Sequence, residues 1–410
     1  MKENRLLQSA GAFALIERSF MQFEFCCPTL FGLEGIVADE LRFEGKIEDV
    51  RAENGRVFFS GNEHTLAWAN LHLRCAERVL IRVASFHAAA FTELFDRVHE
   101  VRWEDYMDAH TAFPVKGWSL DSQLFSVPTC QKMIKKAIVS RLADAYGISW
   151  LPEDGASMQI QFSIHRDQCD LFLDTSGSGL HKRGYRANSN AAPLRETLAA
   201  AMIKVARWRG RDPLIDPFCG SGTIPIEAAM IASNRAPGLM RSFDAEKWPL
   251  IPASAWQQAR EAALDAIQTE VDPVIVGCDI DPACTELSCE NAQKAGVASL
   301  VSFGTRDALS LKLDAMHGVL FANPPYGERL LDRQTAEQIY TGLGRLAGRS
   351  ALRQYYLTSD PDFEKCYGYC ADKKRKLYNG MIKCDLFMYF KPAAERKIYK
   401  ISQNSHRFGS

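Results

Sequence analysis

No run of apolar residues in this 410-residue chain approaches the roughly 18 needed to span a bilayer, so no segment reads as a membrane helix and no membrane partner is expected. An excess of either charge is also missing: 49 Lys and Arg stand against 50 Asp and Glu, for a formal net charge of -1. A polyanionic partner would have to be met by local basic patches, because the whole-molecule field cannot attract it. Metal-ligand spacing is lacking too. The 12 cysteines are scattered, and neither Cys26-Cys27 nor the Cys366 and Cys370 pair is followed by a matching ligand pair. That pattern argues against a zinc or disulfide framework and reads as reduced, mostly core thiols in a cytoplasmic protein. There is no low-complexity tract and no short repeat. The apolar stretch Ala10 to Ile16 is short and runs directly into Glu17-Arg18 without a small-residue cleavage site, so residues 1–20 are expected to be an extension outside the fold.

What is present divides into two patterns. From Met21 to about residue 180 helical and alternating segments are mixed, an α+β arrangement. Leu33, Ile36, Val37 and Leu41 have helical spacing, Arg56 to Ser60 reads as a strand after an Asn-Gly turn, and alternation recurs from Arg78 to Phe86. A strand at Val115 to Leu120, a helix from about Pro128 to Tyr146 and a hairpin pairing Met158–Ile164 with Cys169–Asp174 across Arg166-Asp167-Gln168 follow. In that helix Ile134, Ile138 and Leu142 form the apolar stripe, and Lys132, Lys135, Lys136 and Arg141 lie off it. His181-Lys182-Arg183-Gly184-Tyr185-Arg186 is basic and carries an aromatic ring; by itself it fits a solvated linker equally well. From Pro193 helices and strands alternate, the signature of a parallel sheet. A helix is expected from Pro193 to about Arg209, and strands at Leu214-Ile215, Val274–Cys278, Leu300–Phe303, Gly318–Ala322, Gln354–Thr358 and Lys383–Phe390, with a long insertion at about 234–269.

Chemistry concentrates at the strand ends of the second half. Asp216-Pro217-Phe218-Cys219-Gly220-Ser221-Gly222-Thr223 follows a strand and opens a helix, and its two glycines permit a tight turn with close backbone approach to a ligand. No Lys-Ser/Thr pair follows them, which excludes a P-loop, and Pro225 replaces the third glycine of the dinucleotide fingerprint. A carboxylate at the very end of the strand suits a ligand with a cationic or amine group, and S-adenosylmethionine has both a sulfonium and an ammonium. Asp279, at the end of the next strand, can accept from ribose hydroxyls, and Asp307 from an adenine amine. Any one of these would more often be a cap or turn residue; three in order after successive strands are better explained by a ligand.

Asn323-Pro324-Pro325-Tyr326 ends the fourth strand. The exocyclic amine of a purine is a poor nucleophile because its lone pair is delocalised into the ring. The Asn323 side-chain oxygen and the Pro324 carbonyl can accept both N–H bonds and turn the lone pair outward, Pro324-Pro325 fixes the carbonyl, and Tyr326 can stack on the base. Such a site needs no metal, covalent nucleophile or strong base.

These two motifs together resemble the class I, S-adenosylmethionine-dependent amino-methyltransferases. The segment Leu173 to Arg186, with Ala236-Pro237-Gly238 and Phe243 to Trp248 in the insertion, is similar to the bacterial THUMP-containing RNA guanine-N2 methyltransferases. The resemblance runs from about Met21 to Pro392. It implies an α/β fold: a Rossmann-like class I methyltransferase domain at 181–392, behind an N-terminal α+β region that is ferredoxin-like at 21–90 and a THUMP RNA-binding module at 91–180, with 393–410 a tail. It implies that Asp216, Pro217, Phe218, Cys219, Gly220, Ser221, Gly222 and Thr223 contact the methionine part of the cofactor. Asp279 and Ile280 would then hold the ribose, Asp307 the adenine, and Asn323, Pro324, Pro325 and Tyr326 the target amine beside the methyl group. Lys132, Lys135, Lys136, His181, Lys182, Arg183, Tyr185 and Arg186 become RNA-facing candidates, by phosphate contacts and Tyr185 stacking. The implied product is N2-methylguanosine in structured RNA, 23S ribosomal RNA foremost. The alternatives are transfer RNA as substrate, a DNA adenine-N6 enzyme, and an inactive RNA-binding module.

Overall fold

The computed structural model describes residues 22–186, 194–313, 316–325 and 333–399. The extension at 1–20, the helix start at Pro193, Tyr326 and the end of the tail lie outside the described residues. The chain forms two compact units.

The first unit holds residues 22–29, 37–180 and 237–265. Its seven strands are β1 (Phe23–Pro28), β2 (Val50–Glu53), β3 (Arg56–Gly61), β4 (Leu80–His87), β5 (Val115–Leu120), β6 (Ile160–His165) and β7 (Gln168–Asp174), in the order β2-β3-β1-β4-β7-β6-β5. All pairings are antiparallel except β5 with β6. A parallel pair needs a crossover, and the helix Val127–Tyr146 supplies it. Pro128 sits in its first turn, Cys130, Ile134, Ala137, Ile138 and Leu142 are buried, and Gly147 at φ +65° closes the C-terminus by donating to Ala143. The β6–β7 turn is tighter than its sequence suggested. His165 pairs directly with Gln168, leaving only Arg166 and Asp167, both at positive φ, in a two-residue loop.

The insertion does not stay with the parallel-sheet half, as a single boundary at residue 181 would require. Residues 237–265 join the first unit because their apolar groups are buried there. Trp248 is buried and donates to the Ser157 carbonyl at 2.9 Å, Phe243 stacks on Trp256, and Arg241 donates to the carbonyls of Ser176, Ser178 and Gly179. The helix Ala253–Asp265 packs along the helix Glu63–His72.

The second unit contains residues 30–36 and the described residues of 181–236 and 266–399. Its strands are β8 (Leu214–Asp216), β9 (Ile275–Asp279), β10 (Ser302–Thr305), β11 (Val319–Ala322), β12 (Arg353–Thr358), β13 (Lys373–Asn379) and β14 (Ile382–Tyr389). They lie in the order β10-β9-β8-β11-β12-β14-β13, the first five parallel and the last two antiparallel to their neighbours. The chain leaves β8 toward β9 and β10, then returns to β11 on the other side of β8. That reversal opens a crevice at the carboxyl ends of β8 and β11.

One side of this sheet packs an aromatic cluster of Tyr340, Tyr356, Phe363, Tyr367, Phe387 and Tyr389. The Tyr356 and Tyr367 hydroxyls both donate to the buried Gln354 side-chain oxygen. Helix Arg333–Ala347 approaches this cluster so closely that a Cβ on Gly344 would fall 1.9 Å from the Tyr367 carbonyl oxygen. Gly344→Ala is therefore expected to lower unfolding free energy by about 1–3 kcal/mol, the usual cost of overpacking, as measured by urea denaturation. An unchanged midpoint would show that this contact relaxes freely.

Candidate active site

The site is built outward from the end of β8. Asp216 is buried, and its Oδ1 accepts from the Phe218 N–H at 3.1 Å, which bends the chain over the strand end. Burial pushes its carboxyl up to about 8; the Phe218 N–H opposes that shift, and the nearby charge of Asp279 adds to it. The loop then turns through Gly220 and Gly222, at φ +53° and +80°. Beyond its chain neighbours, no atom of the described residues lies within 4 Å of where a Gly220 Cβ would be, whereas a Gly222 Cβ would stand 3.0 Å from the Phe303 ring. Gly220 therefore leaves open space above the loop, and Gly222 lets it pack below.

The loop is tied down by hydrogen bonds on every side. Cys219 N–H donates to Cys278 O at 2.8 Å, Gly222 N–H to Cys219 O at 2.8 Å, Ser288 Oγ to Gly220 O at 2.7 Å and Asn291 Nδ2 to Ser221 O at 3.0 Å. The helix Thr223–Ala232 starts directly from it, so the positive end of that helix points at the loop. Asp279, closing β9, accepts from the Gly220 N–H at 2.9 Å through Oδ2 and from the Asp281 N–H at 3.0 Å through Oδ1. Each oxygen keeps a second lone pair. Ile280 beside it is exposed. Asp307 caps a short turn after β10, accepting from the Leu309 N–H at 2.9 Å; it is a turn residue by geometry, with acceptor capacity to spare.

β11 pairs with β8 through Leu320 and Ile215, so Asn323 emerges beside the Asp216 loop. The Asn323 side-chain oxygen is buried and has no hydrogen-bond partner among the described residues. The Pro325 carbonyl accepts from the Tyr340 hydroxyl at 3.3 Å, which anchors the corner to the helix beneath it. A buried acceptor without a donor is costly, and a ligand N–H would satisfy it. Together, a buried carboxylate, a glycine cradle, a second carboxylate with free lone pairs and an orphaned amide oxygen fit a cationic nucleoside cofactor beside an amine-bearing base. Among the described residues, no group of three or more His, Cys, Asp or Glu side chains could hold a metal ion.

Several of the basic candidates have other duties. Arg183 and Tyr185 are buried and cannot face RNA: Arg183 pairs with Glu227, Nε to Oε1 at 3.3 Å, and the Tyr185 hydroxyl donates to the same carboxylate at 3.4 Å. Arg186 pairs with Glu196 at 3.5 Å and donates to the Thr223 hydroxyl at the head of the loop helix. The basic segment neutralises two buried glutamates; a lone Glu227 inside the apolar helix Thr223–Ala232 was the available signal. Lys135 is likewise committed, with Nζ 2.5 Å from Glu153, 3.2 Å from the Phe113 carbonyl oxygen and 3.6 Å from the centre of the Phe113 ring. Lys132, Lys136 and Lys182 are exposed and His181 is half-buried.

Residues 183–387 match the UPF0020 family, described as an RMKL-like methyltransferase domain; residues 24–80 match the RlmL ferredoxin-like domain, and residues 88–174 the THUMP domain. The putative RNA methyltransferase YpsC of Bacillus subtilis is 41% identical over 362 residues, 88% of this chain and 94% of its own length. The ribosomal RNA large subunit methyltransferase K/L of Psychromonas ingrahamii is 34% identical over 88% of this chain but only 49% of its own, so the chain spans about half the length of that relative. The crystal structure of SMU.472, a putative methyltransferase complexed with SAH, superposes with a TM-score of 0.84 at 40% identity, covering 90% of this chain and 98% of that one.

The buried pair makes a stability prediction. Glu227→Ala strands the Arg183 guanidinium without its countercharge and should cost about 3–5 kcal/mol in urea denaturation. The double variant Arg183→Met with Glu227→Leu should recover most of that loss. A single variant as stable as the parent would mean that the pair is solvated.

Proposed function

Because the chain belongs to the THUMP-containing RNA methyltransferases with an RMKL-like catalytic domain, we propose that it methylates the exocyclic N2 of a guanine in RNA, with large-subunit ribosomal RNA as substrate and the cytoplasm as its place of action. The observation that carries this reading is the buried Asn323 side-chain oxygen, without a partner among the described residues, at the switch point, one strand over from the Asp216 carboxyl. S-adenosylmethionine, when bound, supplies an electrophilic methyl on sulfur. Asp216 and the open face of the Gly220 loop would hold its charged amino-acid end, and Asp279 its ribose. Asn323 and the Pro324 carbonyl accept the two N–H bonds of the target amine, so that its lone pair faces the methyl group. As the new N–C bond forms and the C–S bond breaks, the amine nitrogen becomes cationic and releases one proton to solvent; no strong base is needed. Guanine N2 lies on a duplex edge, so the target base is flipped or unpaired, with Tyr326 as its stacking surface. The ribosomal assignment rests on the name of the K/L relative and on the THUMP match.

The deciding experiment is nucleoside mass spectrometry after incubating unmodified ribosomal RNA, transfer RNA and DNA with the protein and labelled S-adenosylmethionine. N2-methylguanosine in ribosomal RNA is the expected product; label only in transfer RNA would move the substrate, and N6-methyladenine in DNA would overturn the reading. Asn323→Ala should lower kcat about 10²–10³-fold, the usual cost of a lost transition-state hydrogen bond. Activity within a few-fold of the parent would remove Asn323 from the chemistry.

Cofactor affinity should also depend on pH. Asp216 titrates near 8, so below that pH it is mostly protonated and a cationic ligand must displace the proton. Between pH 6 and 8 the cofactor Kd should fall by up to about tenfold per unit, and Asp216→Asn should flatten that profile in calorimetry. The same substitution should raise Tm at neutral pH. A carboxyl with a raised folded pKa costs stability progressively as pH climbs from about 4 to 8, and an amide is spared that cost.

A further inference from the structure

β13 has no counterpart in the sequence expectations, and its composition is unusual: Lys373-Lys374-Arg375-Lys376-Leu377-Tyr378-Asn379 forms the outermost strand of the second unit's sheet. Lys374 is paired with Glu364 at 2.6 Å. Lys373, Arg375, Lys376 and Lys383 form no ion pair among the described residues. In a chain of net charge -1 these cations make the hairpin locally positive, Lys373 and Arg375 on one face and Lys376 and Lys383 on the other. Cross-strand register puts Lys376, Tyr378 and Lys383 on the same face, with Asp385 opposite Lys376 but making no ion pair with it. The Tyr378 ring also meets Phe31, at 6.5 Å between centroids.

Position gives the patch a use. Ala322 at the end of β11 is level with Tyr356, and Tyr356 with Phe387 of β14. From Phe387 the strand continues back to Ile382, so the hairpin rises five residues, roughly 17 Å, past the level of Ala322 on the crevice side of the sheet. Its nearer strand, β14, stands two strands from β11, roughly 10 Å to the side, and β13 three, roughly 14 Å. At its tip Met381 is 98% exposed and Ile382 40% exposed.

Resting on the RNA-substrate reading above, we propose that the β13–β14 hairpin is an RNA guide: Lys376 and Lys383, on its exposed face, contact phosphates of the strand that carries the target nucleotide, and the Met381-Ile382 tip packs against its exposed bases. Charge complementarity and overhang of the crevice select this partner. The competing explanation is that edge-strand lysines only prevent strand-to-strand association between copies.

The test uses the full chain, with Lys376→Gln, Lys383→Gln and Met381→Ser combined, on the RNA that the wild type methylates. The expected result is a KM for RNA raised about tenfold and a plot of log Kd against log salt shallower by roughly 1.4, two phosphate contacts at about 0.7 each. The kcat at saturating RNA and the cofactor Kd should stay at wild-type values, and Lys376→Arg with Lys383→Arg should retain wild-type affinity. Unchanged KM and salt slope would overturn the guide, as would a variant that self-associates while its monomer binds RNA normally. Failure of the wild type to methylate any RNA would instead overturn the functional reading, a result separable from unimpaired RNA binding by a variant of an active enzyme.

Discussion

The pairing of β11 with β8 is the constraint from which the site follows. Strands added in simple succession would carry β11 to the far edge, beyond β10. Instead the chain returns past its starting strand, and the Ile215 to Leu320 register brings the ends of β8 and β11 side by side. Both strands are short and buried, so their ends are rigidly placed. A one-residue slip would turn Ile215 and Leu320 away from the aromatic cluster they pack into, and register is strongly specified for that reason. Asp216 and Asn323 inherit this precision without any contact between them being needed.

Beneath the loop, charge is balanced by charge. Glu227 sits inside an otherwise apolar helix and Glu196 near the start of another, and both are answered by the segment that enters this unit, through Arg183 and Arg186. Arg186 also reaches the hydroxyl of Thr223, where the loop becomes a helix. Burial of ion pairs is a weak source of stability but a strong source of specificity when removal of one partner leaves a bare charge. Here it fixes the segment at 183–186 against the helix that faces the glycine loop. Part of a motif that looks made for nucleic acid, Arg183 to Arg186, thus works as scaffold beneath the glycine loop.

What was legible in the sequence was local chemistry. The Asp216-to-Thr223 loop, the acidic ends of β9 and β10, and Asn323 after β11 were each visible because strand, turn and polar residue are neighbours in the chain. The crossover helix and its stripe of Ile134, Ile138 and Leu142 were visible for the same reason, as was the parallel character of the second half's first five strands, but not the antiparallel pairing of β14. What could not be read was pairing over distance. Arg183, Tyr185 and Lys135 show their charge or ring in the sequence, while Glu227 and Glu153, which consume them, lie 18 to 44 residues away. The insertion at 237–265 looked like part of the unit it interrupts, because chain continuity is visible and burial of Trp248 is not. β13 was missed because an edge strand has only one side to bury, and Leu377 alone gives no periodicity.

The site carries two groups in states that folding alone would not choose. Asp216 is a carboxyl in a desolvated place, held mostly protonated at neutral pH, and the Asn323 oxygen is a buried acceptor with no donor among the described residues. Each lowers stability, and the surrounding pairing is firm enough to sustain both. Each would also be relieved by a specific partner: the carboxylate by a cation, the amide oxygen by an N–H. A site with these two deficits discriminates by chemistry rather than by shape, since a ligand without the cation leaves one of them unmet and a base without an amine leaves the other. Desolvation of Asp216 and of Asn323 is thus the same device used twice, once favouring a cation and once an N–H donor, on two adjacent strands of one sheet.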